Sequence, residues 1–525
     1  MTHKIAVFTG DLSYSVCAGI AEIDRAVAEI EWLVLLHSPR KTIAALIGSQ
    51  RRNLRRNGWR WVHYQIGDVV RRIGAQLRSS ASLGSPRHTA QSLAPGRNLR
   101  ILRSNDIHDE VTLAEVRKFA PDLGLSLAAP ILRESLFSLP RLGTLNLHKG
   151  KLPQYRGMPP AFWELWNEEK EVGCTIHWVE SKLDAGPVVV ESTVQRERFS
   201  TVRGLQLRLD EVGVDLMRTA VRRILSGERI GYPQPTNGRT NRKPTLAQTA
   251  ELTRRLARDV VFPGSFPQRI ARETMYAAAR SCLPIARLSM RPRITVLLYH
   301  RVSDEARDNL TVGIEQFDRQ MALIRRHCDL LTLEEVLACD TIPTSTRPQV
   351  CVTFDDGYLD NFINAFPILR RNAIPAAFFV STGIIGTDRP FPHDVRRGGS
   401  RPPVMTWENV KKMHDYGFTI GSHSVSHIDC VKEPESAVVE ELTRSRADLE
   451  RRLGLAEVYF AYPFGGRQHM NAQRLDLVRA AGYAACLSAY GGSNIGVVDR
   501  YNVLRGGINW EFSDRAFLFR CQGIR

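Results

Sequence analysis

The sequence predicts an α/β protein of two successive units. Three observations carry this. The chain has 525 residues, whereas an ordinary domain has roughly 100–200. Short apolar runs alternate with helical stretches over the first 225 residues, the pattern of strands covered by helices. A second such series opens at Ile294–Tyr299, and there polar residues recur at the carboxyl ends of the apolar runs. Repeated polar strand ends are what a β/α barrel places around its mouth. The expected division is residues 1–240, a linker over 241–292, and residues 293–525.

Composition supports a folded, soluble chain: 43% of residues are hydrophobic and 24% charged. No run approaches the roughly 18 apolar residues of a membrane span, and the opening run Lys4–Phe8 is too short for the core of a signal peptide. A cytoplasmic location is therefore expected. Nine cysteines occur without a Cys-x-x-Cys pair, which reads as buried thiols and not as a disulfide framework. The net charge is +17, and the interval from Arg51 to Arg103 holds twelve arginines against one acidic residue, Asp68. Such a stretch suits a phosphate-bearing partner or, equally, a solvated basic helix and loop.

In the first unit the expected strands are Lys4–Phe8, Leu33–Leu36, Asp122–Leu127, Gly143–Leu147, Gly173–Val179 and Val188–Val194. The loop from Phe8-Thr9-Gly10-Asp11 to Ser13 precedes a helix; Asp11 would repel phosphate, so capping by Ser13 or Asp11 is the expected role. Asn146 and His148 alternate on one face of a strand end. Asp184 follows within Leu183-Asp184-Ala185-Gly186-Pro187. Acyl transfer to an amine needs a donor for the oxygen that becomes negative and a route for the amine's proton. Asn146 offers the first, and His148 with Asp184 the second. Past Pro233, Pro235 and Pro244, basic amphipathic stretches are expected around Thr249–Arg258 and Pro267–Arg280.

In the second unit, Ile294–Tyr299 leads to His300, Val350–Phe354 to Asp355-Asp356-Gly357, Phe418–Ser422 to His423-Ser424-Val425-Ser426-His427, and Val458–Ala461 to Tyr462-Pro463-Phe464-Gly465. Asp356, His423 and His427 form a donor set for a divalent cation, with Zn favoured and Co, Ni or Mn also compatible. The His-x-x-x-His spacing predicts a single helical turn bringing both rings to one side. Asp355 is placed beside the cation as a base for water. A helix ending at Gly454 is expected to carry Leu442, Leu449 and Leu453 on one face and an Asp448–Arg452 pair.

On these motifs residues 293 onward resemble the polysaccharide deacetylase (NodB homology) superfamily. The resemblance implies a distorted β/α barrel of carbohydrate esterase type and metal-dependent removal of N-acyl groups from amino sugars. It assigns Asp355 as base and Asp356, His423 and His427 as ligands. Ala461 stands where many members carry an Arg that braces the base. No His follows His469, so the late His that serves many members as acid is missing. His300 is the candidate replacement; a packed strand-end histidine is the alternative. For the late basic residues Arg500 and Arg505 a brace on a carboxylate is one reading, and a surface or ion-pair role is the expected one.

Residues 4–240 resemble the 10-formyltetrahydrofolate-dependent formyltransferases. The resemblance rests on Asp122–Ser126, Pro140–Gly143, Asn146-Leu147-His148, Leu152-Pro153-x-x-Arg156-Gly157 and Leu183–Pro187. It implies a Rossmann-like open parallel sheet, the catalytic set Asn146, His148 and Asp184, and a folate ring near Leu127, Ala128, Ala129, Pro130 and Ile131. Together the two resemblances imply a bifunctional enzyme of amino-sugar modification, using 10-formyltetrahydrofolate as co-substrate and a divalent metal. Its expected substrate is a nucleotide- or lipid-linked amino sugar. The alternatives are formylation of methionyl-tRNA, or one domain that has decayed to a binding module.

Overall fold

The computed structural model describes residues 2–27, 29–39, 43–62, 65, 99–235, 237–238, 240–257, 274–276, 291–396 and 401–523. The chain divides into two compact units, Met1–Val260 and Val261–Arg525. The expected amphipathic stretch Pro267–Arg280 lies mostly outside the described residues, as does residues 66–98 of the basic interval. The stretch around Thr249–Arg258 is a helix, Leu246–Ala257.

The first unit is built on a seven-stranded sheet. Its strands are β1 (His3–Thr9), β2 (Ile30–His37), β3 (Leu99–Ser104), β4 (Leu123–Ser126), β5 (Thr144–His148), β7 (Glu171–Trp178) and β8 (Val188–Gln195), in the spatial order β3-β2-β1-β4-β5-β7-β8; β6 (Arg156–Gly157) pairs apart from it with β9 (Thr240–Asn241). The first five pair in parallel. The expectation of an all-parallel sheet is corrected at one end, where β7 runs antiparallel to β5 and β8 antiparallel to β7. Side-chain alternation explains the two-faced core. Ile5, Val7, Trp32 and Val34 pack on helices Tyr14–Ala26 and Val202–Leu225, while Ala6, Phe8, Leu33 and Leu35 pack against Leu113 and Val116 of helix Glu110–Phe119. Burial on both faces makes β1 and β2 near-continuous apolar runs.

The second unit carries β10 (Arg293–Tyr299), β11 (Arg301–Val302), β12 (Thr311–Val312), β13 (Asp329–Leu330), β14 (Gln349–Phe354), β15 (Ala376–Val380), β16 (Thr419–Ser422), β17 (Tyr459–Ala461), β18 (Ala485–Leu487), β19 (Asn494–Ile495) and β20 (Arg505–Gly507). Parallel pairing runs β10-β14-β15-β16-β17-β18. A parallel bridge Leu487↔Val503 joins β18 to the run entering β20, and β20 pairs in parallel with β10. The sheet thus curls back on its first strand, the distorted barrel the strand-end pattern predicts.

Phe354 is buried at the end of β14, directly before the paired carboxylates. Its ring stacks on Phe378 (4.6 Å between centroids, 11°) and Tyr299 (5.4 Å, 25°) and meets the edge of Phe317 from helix Ile314–His327. Helix Glu435–Leu453 buries Leu442 and Leu449 and ends at Gly454 with φ +70°. Asp448 pairs with Arg451 and not with the expected Arg452, whose guanidinium lies 4.4 Å from the Trp407 ring centroid. The described cysteines are buried or, for Cys339, half-buried. Among the described residues no helix is long and apolar enough to cross a membrane. Phe354→Ala is expected to lower the stability of the second unit by about 3–5 kcal/mol, the usual cost of removing a buried phenyl group, read as an earlier urea transition.

Candidate functional site

In the second unit Asp355 and Asp356 leave β14 with almost no solvent contact: Asp355 is 2% exposed and Asp356 0%. A buried carboxylate is costly unless it is neutralised. Asp355 is neutralised by Arg505, itself 0% exposed. Two parallel bonds of 2.7 Å join the guanidinium to Oδ1 and Oδ2, Arg505 Nε donates to the Ser488 carbonyl at 2.8 Å, and the guanidinium lies 5.4 Å from the Phe379 ring centroid. Burial alone would raise the Asp355 carboxyl; the charge of Arg505 and its two hydrogen bonds outweigh burial and hold the carboxyl below the usual range. Of the roles expected of Arg505 the ion pair is formed and the surface position is corrected: it is a fully buried fork that braces the Asp355 carboxylate, where Ala461 offers no arginine. Its signal in the sequence was an Arg inside the apolar run Val503-Leu504-Arg505.

Asp356 is treated in the opposite way. Both of its oxygens are buried without a hydrogen-bond donor, and two ring nitrogens face Oδ1: His427 Nε2 at 3.2 Å and His423 Nε2 at 3.5 Å. One donor atom from each of these three residues lies within 4.8 Å of the others. His423 Nδ1–H donates to the Ala461 carbonyl at 2.8 Å, which leaves Nε2 with its lone pair toward the site. Burial draws the His423 imidazole down to about 4, so it is neutral at ordinary pH. Two ring nitrogens and a buried carboxylate without a hydrogen-bond donor are a set that fits a divalent cation.

The expected helical turn between the two histidines is not formed. Residues 423–427 are a loop in which Ser424 (φ +62°) and His427 (φ +59°) adopt left-handed backbone. Glu441 pins that loop from helix Glu435–Leu453. It accepts from Val425 N (2.8 Å), Ser426 N (2.9 Å) and Ser426 Oγ (2.6 Å). The rings still meet, 4.9 Å between centroids. His300 ends β10 beside the start of the carboxylate pair, since Asp355 N donates to the Tyr299 carbonyl at 3.0 Å. It is half-buried, and its charge acts on both Asp355 and Asp356. His393 was not anticipated. Its Nε2 lies 3.8 Å from Asp356 Oδ2 and 2.9 Å from Tyr358 Oη, which donates to Asp394 Oδ2 at 2.8 Å. It comes from the short helix Pro392–Arg396, with no strand-end pattern to mark it.

In the first unit Asn146, His148 and Asp184 converge as expected, joined by a fourth residue, His177. Antiparallel pairing sets His177 opposite Asn146. His177 Nδ1–H donates to the Trp178 carbonyl at 2.8 Å, so Nε2 accepts from Asn146 Nδ2 at 3.0 Å. His148 Nε2–H donates to the Tyr155 carbonyl at 2.7 Å, and its Nδ1 faces Asp184 Oδ2 at 3.6 Å. Asp184 Oδ1 stands 3.7 Å from His177 Nε2, and Oδ2 accepts from Gly157 N at 3.0 Å. Burial lowers the His148 pKa despite the nearby Asp184 charge, leaving a neutral ring. Burial would raise Asp184; the positive charge that His177 or His148 carries when protonated, and the Gly157 N–H in either case, act to lower it. His177 had a signal: a lone basic residue sharing a strand face with Thr175.

The expected folate segment sits at the end of β4, beside β5. Leu127 is buried in the core and its N–H is bonded to the Phe8 carbonyl; the Ala128 carbonyl accepts from Gly10 N. Ala129, Pro130 and the exposed Ile131 remain open to a ligand. In the first loop Ser13 is the helix N-cap residue but makes no side-chain cap bond; Asp11 Oδ1 accepts from Ser13 N at 3.1 Å.

Comparison with known proteins matches both halves. A family model for polysaccharide deacetylase matches residues 343–486, and one for formyl transferase matches residues 63–221. Methionyl-tRNA formyltransferase of Halalkalibacterium halodurans is 34% identical over 135 residues, 26% of this chain and 43% of that protein. The Myxococcus xanthus protein of the same name is 28% identical over 217 residues, 39% and 69% of the two chains. The match thus spans less than half of the first of these relatives. Among solved structures, IcaB from Ammonifex degensii is 26% identical, with 44% of this chain and 97% of that one covered and a TM-score of 0.37. The N-formyltransferase from Helicobacter canadensis, solved with folinic acid and dTDP-3-aminofucose, is 13% identical, with 46% and 71% covered and a TM-score of 0.31. One chain carries a formyl transferase domain and a polysaccharide deacetylase domain.

Arg505→Met tests the brace on Asp355. It leaves a buried carboxylate without its counter-ion, expected to cost about 3–5 kcal/mol of stability. Removing the positive charge raises the Asp355 pKa, so the acid limb of amide hydrolysis should move to higher pH while metal content is kept. A limb that stays in place would show that Arg505 does not set it.

Proposed function

We propose that the chain is a bifunctional enzyme of amino-sugar modification: the second unit hydrolyses a sugar N-acyl amide, and the first transfers formyl from 10-formyltetrahydrofolate to a sugar amine. The observation that carries this reading is the buried, donor-less Asp356 carboxylate facing His423 and His427 Nε2, next to a separately neutralised Asp355. A divalent cation held by Asp356, His423 and His427, with Zn favoured, would supply Lewis-acid polarisation of the amide carbonyl and acidify water. Asp355, kept ionised by Arg505, takes a proton as water attacks the carbonyl carbon. The C–N bond then breaks, and His300 gives a proton to the departing amine. The products are a carboxylate and a free amino group.

In the first unit that kind of amine is the nucleophile. It attacks the formyl carbon while Asn146, with one amide hydrogen committed to His177, offers the other to the formyl oxygen. The amine's proton is received between His148 Nδ1 and Asp184 Oδ2, where the carboxylate stabilises the imidazolium. The bond from carbon to the folate nitrogen breaks, and that nitrogen is protonated. The open residues Ala129, Pro130 and Ile131 are the place for the folate ring. Hydrolysis exposing an amine, followed by formylation, gives the two units one shared intermediate, and fusion raises its effective concentration.

A methionyl-tRNA acceptor is the second reading. It is favoured by the names of the curated relatives and by Arg51, Arg52, Arg55 and Arg56 on helix Ile43–Asn57. Phosphate contacts would make tRNA binding fall steeply with salt.

Single-site variants assayed by mass spectrometry against a panel of linked amino sugars separate the two activities. Asp355→Asn is expected to slow deacylation about 10²–10⁴-fold and spare formyl transfer; His148→Ala is expected to do the reverse. If either variant abolishes both reactions, the division of labour between the units is wrong.

A further inference from the structure

One cavity of about 480 Å³ in the first unit lies outside the Asn146–His148–Asp184 cluster. It is lined by Trp163, Trp166, Arg56, Arg242 and Lys243, with Asn167, Thr240, Asn241 and Gln248. Three lining side chains are cationic and no carboxylate is among them. Among the described residues Arg56, Arg242 and Lys243 form no ion pair, whereas arginines nearby do: Arg254 and Arg255 both reach Glu251. Gathering like charges without a counter-ion costs free energy that an anion in the cavity would recover.

The walls are held firmly. Trp163 Nε1–H donates to the Arg242 carbonyl at 2.9 Å, fixing the backbone from which the Arg242 side chain projects. Trp166 is stacked on Phe162 (6.0 Å, 18°), and the Arg255 guanidinium lies 4.5 Å from its ring centroid. Trp166 is therefore a fixed wall. Leu246 N donates to Asn57 Oδ1 at 2.9 Å, which ties the helix bearing Arg56 to the helix that follows Lys243.

The cavity also shares a strand pair with the catalytic cluster. Asn241 pairs with Gly157 across β6 and β9, and Gly157 N–H is the donor to Asp184. A Cβ at Gly157 would stand 2.3 Å from the Asn241 carbonyl oxygen, so the two backbones are in close contact. One strand spacing, about 4.8 Å, separates them. The cavity wall at Asn241–Lys243 is thus one strand removed from the backbone that holds Asp184.

We propose that this cavity holds the phosphate groups of the carrier to which the amine acceptor is linked, a diphosphate ester gripped by Arg242, Lys243 and Arg56. The inference rests on the sugar-amine reading of the first unit and adds where the carrier is recognised. Paired cationic forks and ammonium groups suit a diphosphate. A nucleoside diphosphate and a lipid diphosphate share this chemistry.

Titration calorimetry on the full chain, freed of divalent cations so that Asp356, His423 and His427 do not contribute, tests it with inorganic pyrophosphate. Saturable binding is expected, weakened roughly 10-fold or more in Arg242→Ala/Lys243→Ala, in line with loss of charge-assisted bonds. Lys243→Glu should weaken it further. Both positions are exposed, so folding is preserved. In formylation assays the double variant should raise KM for a diphosphate-linked amino sugar, with the loss falling on KM and not on kcat. Competition by uridine diphosphate but not geranyl diphosphate supports the site with a nucleotide carrier; the reverse supports it with a lipid carrier. No binding of pyrophosphate, or equal affinity in all three proteins, overturns the proposal and leaves formyl transfer to sugar amines standing. Pyrophosphate binding lost in the variants, without transfer to any sugar amine, upholds the phosphate site and refutes the acceptor reading instead.

Discussion

Two adjacent buried carboxylates meet opposite fates at the end of β14, and the chemistry of the second unit depends on that difference. Asp355 is neutralised within the protein by a bidentate arginine, while Asp356 is given no donor at all. Removing a carboxylate from water costs several kcal/mol unless a charge or donors replace the solvent. Arg505 supplies that replacement for one residue. The other faces the ring nitrogens of His423 and His427, a donor set that fits a cation. Neighbours in sequence thus sit in opposite surroundings, one carboxylate neutralised and one bare.

The surrounding fold serves this division. An aromatic stack around Phe354 fixes the end of β14. Glu441 holds the left-handed loop that turns His427 inward, and the Ala461 carbonyl selects the His423 tautomer. The first unit solves a related problem without a cation. Asp184 accepts the Gly157 N–H, and each histidine beside it has its proton held by a main-chain carbonyl, Tyr155 for His148 and Trp178 for His177, which leaves a lone pair on the nitrogen facing the carboxylate.

Much of this was legible in the chain itself. Strands buried on both faces announce themselves as continuous apolar runs, so β1, β2 and β14 were readable. The edge strand β3 was not, because half its side chains face water and Leu-Arg-Ile-Leu-Arg-Ser carries no such run. The positions of Asn146, His148, Asp355, Asp356 and His423 at strand ends were readable because polar residues closing apolar runs are a local signal. His393 reaches Asp356 from the short helix Pro392–Arg396, and Arg505 reaches Asp355 from a strand about 150 residues downstream. Contacts of that kind depend on how the sheet curls, which local pattern does not encode. The His-x-x-x-His spacing suggested a helix, but Glu441, on the helix that follows, holds the backbone there.

The central claim is that Asp356 is left bare for a cation. Elemental analysis of the purified full chain beside Asp356→Ala tests it most directly. The account requires close to one equivalent of a divalent transition metal per chain in the first protein and its loss in the second. Equal metal content in both, or none in either after growth and purification with added Zn²⁺, would contradict it.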